Sequence, residues 1–149
     1  MQPRAIRIPA RREGLTAHPE AKNGKGRPLP RRFVERFQRF FTYDLRKVRI
    51  HRGIPARLRA LAGCRDPIAV SYRDRIYIAP GYANLNTPSG LRTVLHELRH
   101  VDQWASHGDQ FYQEYARAVR AWGYWTNRWE RDAYRHERRV FRAVSLARA

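Results

Sequence analysis

The residues best suited to chemistry lie at positions 96–100, where the sequence reads His-Glu-Leu-Arg-His. Two histidines four positions apart share one face of an α-helix, because each residue turns the helix by about 100°. The imidazoles of His96 and His100 are therefore expected to bind one Zn²⁺ ion. Glu97 flanks that position and is expected to be the catalytic base that takes a proton from water activated by the metal. The pattern predicts a zinc-dependent metallopeptidase, a hydrolase of peptide bonds.

The third metal ligand must come from elsewhere in the chain, because a catalytic zinc ion is held by three protein ligands and keeps one position open. No further histidine follows His100 at the spacing of the extended motif. We favour Glu130, because the loop around Gly123 lets the last predicted helix fold back antiparallel to the motif helix. The alternatives that stay open are Glu114, His107 and His136.

The motif lies in the clearest helix of the sequence. Thr87 is a typical N-cap residue, and Pro88 occupies the first helical position, where its missing N–H is tolerated. Gly108 is a typical residue for ending the helix. Between them runs an apolar stripe with helical spacing: Leu91, Val94, Leu95, Leu98, Val101 and Trp104. This stripe predicts that the helix packs along its length and holds the motif rigidly.

The other elements predict an α+β fold, helix-rich, with a small antiparallel sheet or β-hairpin. Apolar periodicity predicts helices over 33–41 and 55–62, a strand at 48–50, and a hairpin formed by 69–72 and 76–79. Two more helices are expected after Asp109 and Asn127, each of which is a typical cap. The chain also has a dense aromatic run of four tryptophans, Trp104, Trp122, Trp125 and Trp129, and four tyrosines. Helical spacing places most of this run in the core.

Length and composition predict how the chain is organised, what it binds and where it is located. Its 149 residues suit one domain, predicted at 30–149, preceded by a basic Pro/Gly-rich arm at 1–29. The formal net charge of +18 favours a polyanionic partner, either nucleic acid or an acidic protein. The single cysteine, Cys64, excludes an intrachain disulfide and a multi-cysteine zinc site. Neither a signal peptide nor a transmembrane segment is apparent, so we expect a cytoplasmic or particle-associated protein.

Several blocks of the sequence, at 26–30, 44–51, 75–81, 87–90 and 95–103, carry a family resemblance. In their order and spacing the chain resembles the extracellular contractile injection system core domain, a zinc-metallopeptidase domain of bacterial toxins and injection-system loci. The resemblance implies a minimal zincin-like fold, with His96 and His100 as ligands and Glu97 as base. The segment from Glu130 to Ala133 also looks like the E-x-E-A segment of related minimal zincins, which implies Glu130 as third ligand.

We also expect roles for two side chains outside the motif, Asp102 and Tyr134. Asp102 stands where such domains commonly have an apolar residue. It is expected either to orient a ligand histidine or, as we favour, to pair with an arginine. Tyr134 lies four residues after Glu130 on the same helical face, where its hydroxyl is a candidate to stabilise an oxyanion.

Two other functions compete with the peptidase interpretation. One is a structural or accessory component of a phage or contractile injection particle, in which the zinc site holds the fold together without turnover. The other is a nucleic-acid-associated protease, which the charge of +18 would hold on DNA. The expected partners are thus a protein or peptide substrate, a polyanion, or the rest of a larger particle.

Overall fold

The structure, a computed structural model, describes residues 25–147 apart from 60, 61, 63 and 65. This part of the chain forms a helix-rich α+β fold, as predicted. Its helices are α1 (Arg31–Phe37), α2 (Ala56–Arg59), α3 (Pro88–His107), α4 (Gln110–Trp122) and α5 (Arg128–Leu146). Its strands are β1 (Arg27–Pro28), β2 (Arg49–Arg52), β3 (Ala69–Tyr72) and β4 (Arg75–Ile78). Most of the predicted N-terminal arm, residues 1–24, lies outside the described residues.

The four strands form one mixed sheet in the order β1-β2-β4-β3. Strands β3 and β4 make the predicted antiparallel hairpin, with Ala69 opposite Ile78 and a turn at Arg73, whose φ is 54°. Strand β4 also pairs in parallel with β2, with Ile50 opposite Ile76. The predicted hairpin is therefore present, but it belongs to a mixed sheet whose parallel pair was not predicted. The parallel pair arises because β4, returning from the β3–β4 hairpin, lies beside β2.

Helix α3 is the central element and has the predicted ends. The Thr87 hydroxyl accepts a hydrogen bond from the N–H of Gly90 at 3.1 Å, and Pro88 is the first helical residue. The helix ends at Gly108, where φ is 60°. It packs against β3 and β4 on one side and against α5 on another. The helix that carries the motif is thus enclosed by the sheet and by the last helix.

Two hydrophobic clusters make up the core, and α3 contributes to both. The first core joins α1, the sheet, α3 and the C-terminal half of α5. Its buried members include Phe33, Phe37, Leu45, Ile76, Leu95, Leu98, Val140 and Val144. The second core joins α2, β3, α4 and the start of α5, and contains Leu58, Val70, Tyr72, Trp104, Phe111, Tyr115 and Trp129. The His-Glu-Leu-Arg-His segment lies on α3 between them.

The tryptophans divide between the core and the surface. Trp104 and Trp129 are buried, as expected. Trp122 and Trp125, however, are 72 % and 74 % exposed, so these two are exceptions to the expectation that most of the aromatic run lies in the core. Both lie in residues 120–126, the last turn of α4 and the loop after it, which are exposed apart from the half-buried Tyr124. None of the described helices is both long and apolar enough to cross a membrane.

Candidate metal centre

Three side chains from two helices converge between the two cores. The Nε2 atoms of His96 and His100, one turn apart on α3, lie 3.2 Å from each other. Glu130 comes from the first turn of α5 and lies between them. Its Oε2 is 2.9 Å from His96 Nε2, and its Oε1 is 3.1 Å from His100 Nε2. All three side chains are buried, so this meeting of two imidazoles and a carboxylate takes place away from bulk water.

The donor set fits a metal ion in both spacing and chemistry. Ligand atoms at 2.0–2.1 Å around a tetrahedral zinc ion are about 3.4 Å apart. The observed separations of 2.9, 3.1 and 3.2 Å are close to that spacing. The carboxylate of Glu97 also lies near, since ligand atoms of His96, Glu97 and His100 are all within 4.8 Å of one another. The group can therefore hold a metal ion.

His100 is held from its other ring nitrogen by a chain of hydrogen bonds. Its Nδ1 lies 2.7 Å from Oε1 of Gln103, one turn further along α3. The amide nitrogen of Gln103 donates to the Trp129 carbonyl at 3.0 Å and to Oδ2 of Asp132 at 2.9 Å. Asp132 in turn accepts from Arg99 at 2.7 Å. Because Gln103 offers an oxygen to Nδ1, that nitrogen carries the proton and Nε2 is directed toward Glu130.

The imidazole of His96 lies beside a carboxylate and an aromatic ring, both from α5. Its Nδ1 lies 3.7 Å from Oε2 of Glu137, a residue that is only 6 % exposed. The ring of Tyr134 lies against the imidazole, with 4.3 Å between ring centroids. Glu130, Tyr134 and Glu137 are spaced as i, i+4 and i+7, so all three lie on the face of α5 that meets α3.

The carboxylate of Glu97 is hydrogen-bonded to the sheet. The hydroxyl of Ser71, on the edge strand β3, donates to Glu97 Oε2 at 2.6 Å. The other carboxylate oxygen of Glu97 has no hydrogen-bond partner among the described residues. Glu97 also lines the cavity beside the site. Its carboxylate is thus fixed at one oxygen, and the side chain faces a space that a water molecule can enter.

The histidines and Glu130 shift one another's pKa values, each in the direction that favours its charged form. Burial lowers the pKa of His96 and of His100, but the surrounding carboxylates, with Glu130 prominent for both, outweigh burial and raise each pKa. Burial raises the pKa of Glu130, yet the two histidines lower it overall. The carboxylate thus favours positive charge between the imidazoles, which is the charge that a metal cation brings. Since the histidines must lose protons to bind a metal, metal affinity depends on pH.

A tyrosine from the second core supports the carboxylate of Glu130. The Tyr115 hydroxyl donates to Oε1 of Glu130 at 2.8 Å and lies 3.3 Å from the carbonyl oxygen of Ala62. Burial, together with the negative charge of Glu130, raises the pKa of Tyr115, so the hydroxyl keeps its proton and remains a donor. The position of Glu130 is therefore determined by α4 as well as by its own helix.

The other side chains weighed as third ligand lie away from this point. Glu114 is ion-paired with Arg128 at 3.1 Å. His107 is exposed and packs on Trp129, and His136 lies 2.9 Å from a guanidinium nitrogen of Arg139. Of the candidates from the sequence, the structure brings only Glu130 to His96 and His100.

Asp102 forms an ion pair with an arginine, Arg99, as we favoured, and it also has a second role that was not expected. Its carboxylate accepts hydrogen bonds from the backbone N–H groups of Thr42 at 3.1 Å and Tyr43 at 2.9 Å. Its Oδ2 lies 3.6 Å from a guanidinium nitrogen of Arg99, and neither His96 nor His100 is among its hydrogen-bond partners in the described part of the chain. Asp102 mainly anchors the segment after α1 to α3, which explains why a buried acidic residue is stable there.

Several supporting residues were missed by sequence reasoning. Gln103 carried a usable signal, because it lies three positions after His100 and thus on the same helical face. Glu137 could also have been found, because it lies seven positions after Glu130 and thus on the same helical face. Ser71 and Tyr115 carried no such signal, since their contacts join segments that are far apart in the sequence.

A family model described as the eCIS core domain matches residues 28–108. The matched segment runs from β1 to the end of α3, and it contains the whole His-Glu-Leu-Arg-His segment. Glu130 and its helix α5 lie beyond it. The comparisons with curated proteins and with solved structures give no match.

Proposed function

The chain belongs to the eCIS core domain family, and from that premise we propose that it is a zinc-dependent hydrolase of peptide bonds. One observation carries the proposal. His96, His100 and Glu130 bring two imidazole nitrogens and a carboxylate to within 2.9–3.2 Å of one another. A buried cluster of this kind with a second carboxylate, Glu97, beside it is a typical arrangement for metal-assisted hydrolysis.

In this proposal His96, His100 and Glu130 hold the ion through Nε2, Nε2 and the carboxylate. Bound zinc supplies Lewis acidity: it polarises a carbonyl group and makes water acidic enough to lose a proton near neutral pH. Gln103 keeps His100 in the tautomer that leaves Nε2 available as a ligand. Tyr115 fixes Glu130 by donating to Oε1.

Glu97 performs the proton transfers. Ser71 fixes one carboxylate oxygen of Glu97 at 2.6 Å, and the other oxygen accepts the proton of the attacking water. The same carboxylate then gives that proton to the nitrogen of the leaving amine. Tyr124 and Tyr134 both line the cavity. Their hydroxyls are the proposed donors to the oxygen that becomes negative during attack.

The test is the substitution Glu97→Gln, assayed with fluorescein-labelled casein and zinc-loaded protein. The amide of glutamine accepts no proton, so cleavage is expected to fall by about 10²–10⁴-fold while zinc content stays the same. Glu114→Gln is the matched control, because Glu114 is a helical glutamate that pairs with Arg128 away from the site. Full activity is expected in the control.

Two outcomes would contradict the hydrolase. One is a Glu97→Gln variant that cleaves casein as fast as the wild type. The other is a wild-type protein that binds zinc, loses thermal stability when zinc is chelated, and cuts neither casein nor any member of a peptide library. The second outcome would favour the structural or accessory role in a particle.

A second candidate function, a protease held on nucleic acid, is favoured by the exposed face of α5. Four arginines recur there at spacings of four, three and four residues: Arg131, Arg135, Arg138 and Arg142. All four are exposed, and none forms an ion pair with a described residue. They form a stripe about 16 Å long on one helical face. A row of unpaired guanidinium groups suits successive phosphates of a nucleic-acid backbone.

This candidate predicts a salt-dependent interaction with DNA that depends on where the arginines lie. Four phosphate contacts contribute about −3.6 to the slope of log K against log salt concentration. Replacing all four stripe arginines by glutamine is expected to remove that contribution, measured by fluorescence anisotropy on a labelled duplex between 50 and 200 mM salt. The control replaces four exposed arginines elsewhere: Arg32, Arg52, Arg57 and Arg117. Equal losses in both variants would show that only net charge matters and would refute the stripe.

A further inference from the structure

A cavity of about 610 Å³ runs beside the metal centre and has two unlike walls. One wall carries the chemistry, namely His96, Glu97, His100 and Glu130. The opposite wall is apolar and comes from the second core: Leu58, Val70, Tyr72, Trp104, Phe111 and Tyr112. Pockets of this size, lined mainly by hydrophobic and aromatic groups with a few polar groups, are typical ligand sites.

The apolar wall begins at one of the proposed ligands. The ring of Phe111 lies 6.3 Å from that of His100, measured between centroids. Trp104 follows at 5.2 Å from Phe111, and Tyr72 at 5.3 Å from Trp104. This continuous series of aromatic contacts leads away from the centre along the cavity. A group attached to an atom bound at the centre would therefore meet aromatic surface at once.

The charges around the cavity have the sign opposite to that of the whole chain. Among the described lining residues Arg92 is the one arginine, and its Nε lies 4.0 Å from Oε1 of Glu137. Asp66, Glu97 and Glu130 add further carboxylates to the lining. An acidic side chain in this space would face carboxylates and apolar rings, although the chain carries a net charge of +18. The lining thus favours an apolar occupant and disfavours an anionic one.

We propose that this apolar wall is the specificity pocket of the enzyme, and that it takes a large aliphatic or aromatic side chain next to the bond that is cut. The inference rests on the proposed function, since it assumes that the scissile carbonyl binds at His96, His100 and Glu130. Burying a phenyl or isobutyl group there is expected to tighten binding roughly ten- to hundred-fold over a ligand without it.

The test measures binding and needs no turnover. Three hydroxamates, which chelate zinc, are titrated calorimetrically into the zinc-loaded full chain: acetohydroxamate, 3-phenylpropanohydroxamate and 3-carboxypropanohydroxamate. The last two share the same linker and differ in ending with a phenyl ring or a carboxylate. The phenyl compound is expected to bind roughly ten- to hundred-fold more tightly than acetohydroxamate, and the carboxylate compound more weakly than the phenyl compound.

A matched pair of variants locates the effect. Val70→Thr places a hydroxyl in the apolar wall with little change in volume, and Val144→Thr makes the same change in the first core, away from the cavity. Val70→Thr is expected to weaken the phenyl compound several-fold and to leave acetohydroxamate unchanged. Val144→Thr is expected to change neither affinity.

The outcomes separate this inference from the proposed function. If acetohydroxamate binds only when zinc is present, and the phenyl group adds no affinity, the metal centre stands and the pocket is refuted. Tightest binding by the carboxylate compound would refute the pocket as well. If none of the three compounds binds zinc-loaded protein, or if the protein takes up no zinc, the proposed function itself fails.

Discussion

Gln103 holds His100 on the side away from Glu130, and this makes it the main supporting residue of the centre. Its oxygen lies 2.7 Å from His100 Nδ1, while its nitrogen donates to the Trp129 carbonyl and to Asp132 on α5. One side chain thus sets the orientation of a proposed ligand and ties α3 to the helix that carries Glu130. A change at Gln103 should therefore affect metal binding without removing any ligand.

Substitution of Gln103 by leucine is expected to lower zinc affinity by roughly 10- to 100-fold, because the His100 ring loses the acceptor that fixes its tautomer. The measurement is a competition titration against a chelator of known affinity. Gln113→Leu, at an exposed position of α4, is the control and should leave the affinity unchanged. Equal affinities in the wild type and Gln103→Leu would contradict the role assigned to Gln103.

At the scale of residues, the sequence was most informative where spacing along one helix decides the contact. His96, Glu97 and His100 could be assigned as a group because helical periodicity alone brings them together. Glu130 required the further assumption that the last helix folds back, and the structure does place it against both histidines. Ser71 could not be found, because its contact with Glu97 depends on how the sheet packs on α3.

Helix α3 can lie deep in the fold because a loop passes directly over its first turn. Gly90 is buried, and a Cβ atom at this position would clash with the backbone carbonyl of Asn84. That carbonyl also accepts a hydrogen bond from the Thr87 hydroxyl at 2.8 Å. The absence of a side chain at Gly90 therefore lets the segment before α3 close against it and sets where the helix begins.

The substitution Gly90→Ala tests this close approach, because helix propensity and the clash change the stability of the fold in opposite directions. Alanine is a better helix former than glycine by about 1 kcal/mol, so helix propensity alone would stabilise the variant. The clash with the Asn84 carbonyl is expected to reverse this and to destabilise the fold by about 1–3 kcal/mol. Urea unfolding measures the change, with Ser89→Ala, at an exposed position, as the control. A more stable Gly90→Ala protein would contradict this expectation, because it would show that the Asn84 segment moves to make room for the methyl group.

Among the elements, local chemistry was predictable and long-range pairing was not. The caps at Thr87 and Asn127 are present as expected, with hydrogen bonds of 3.1 and 2.8 Å. Asp109 precedes α4 as predicted, but its carboxylate makes no cap hydrogen bond and instead accepts from Arg73 at 3.2 Å. The parallel pairing of β2 with β4 was missed, because which strands become neighbours depends on the whole chain path.

At the scale of the whole molecule, net charge and local charge have opposite signs. The chain carries +18, yet the buried centre contains the carboxylates of Glu97, Glu130 and Glu137 around two histidines. Buried carboxylates are costly unless they are paired or bind a cation. The positive exterior is therefore relevant to the proposed polyanionic partners, while the carboxylates of the interior are relevant to the proposed metal ion.

The most direct test of this account is the amount of zinc per folded chain, measured by native mass spectrometry on the wild type, Glu130→Gln and Glu114→Gln. The account predicts one zinc ion per chain in the wild type and in Glu114→Gln, because Glu114 pairs with Arg128 and contacts neither histidine. It predicts a large loss of zinc in Glu130→Gln, which removes the charged ligand between His96 and His100. A wild-type chain without zinc, or a Glu130→Gln chain that retains it fully, would contradict the proposed centre.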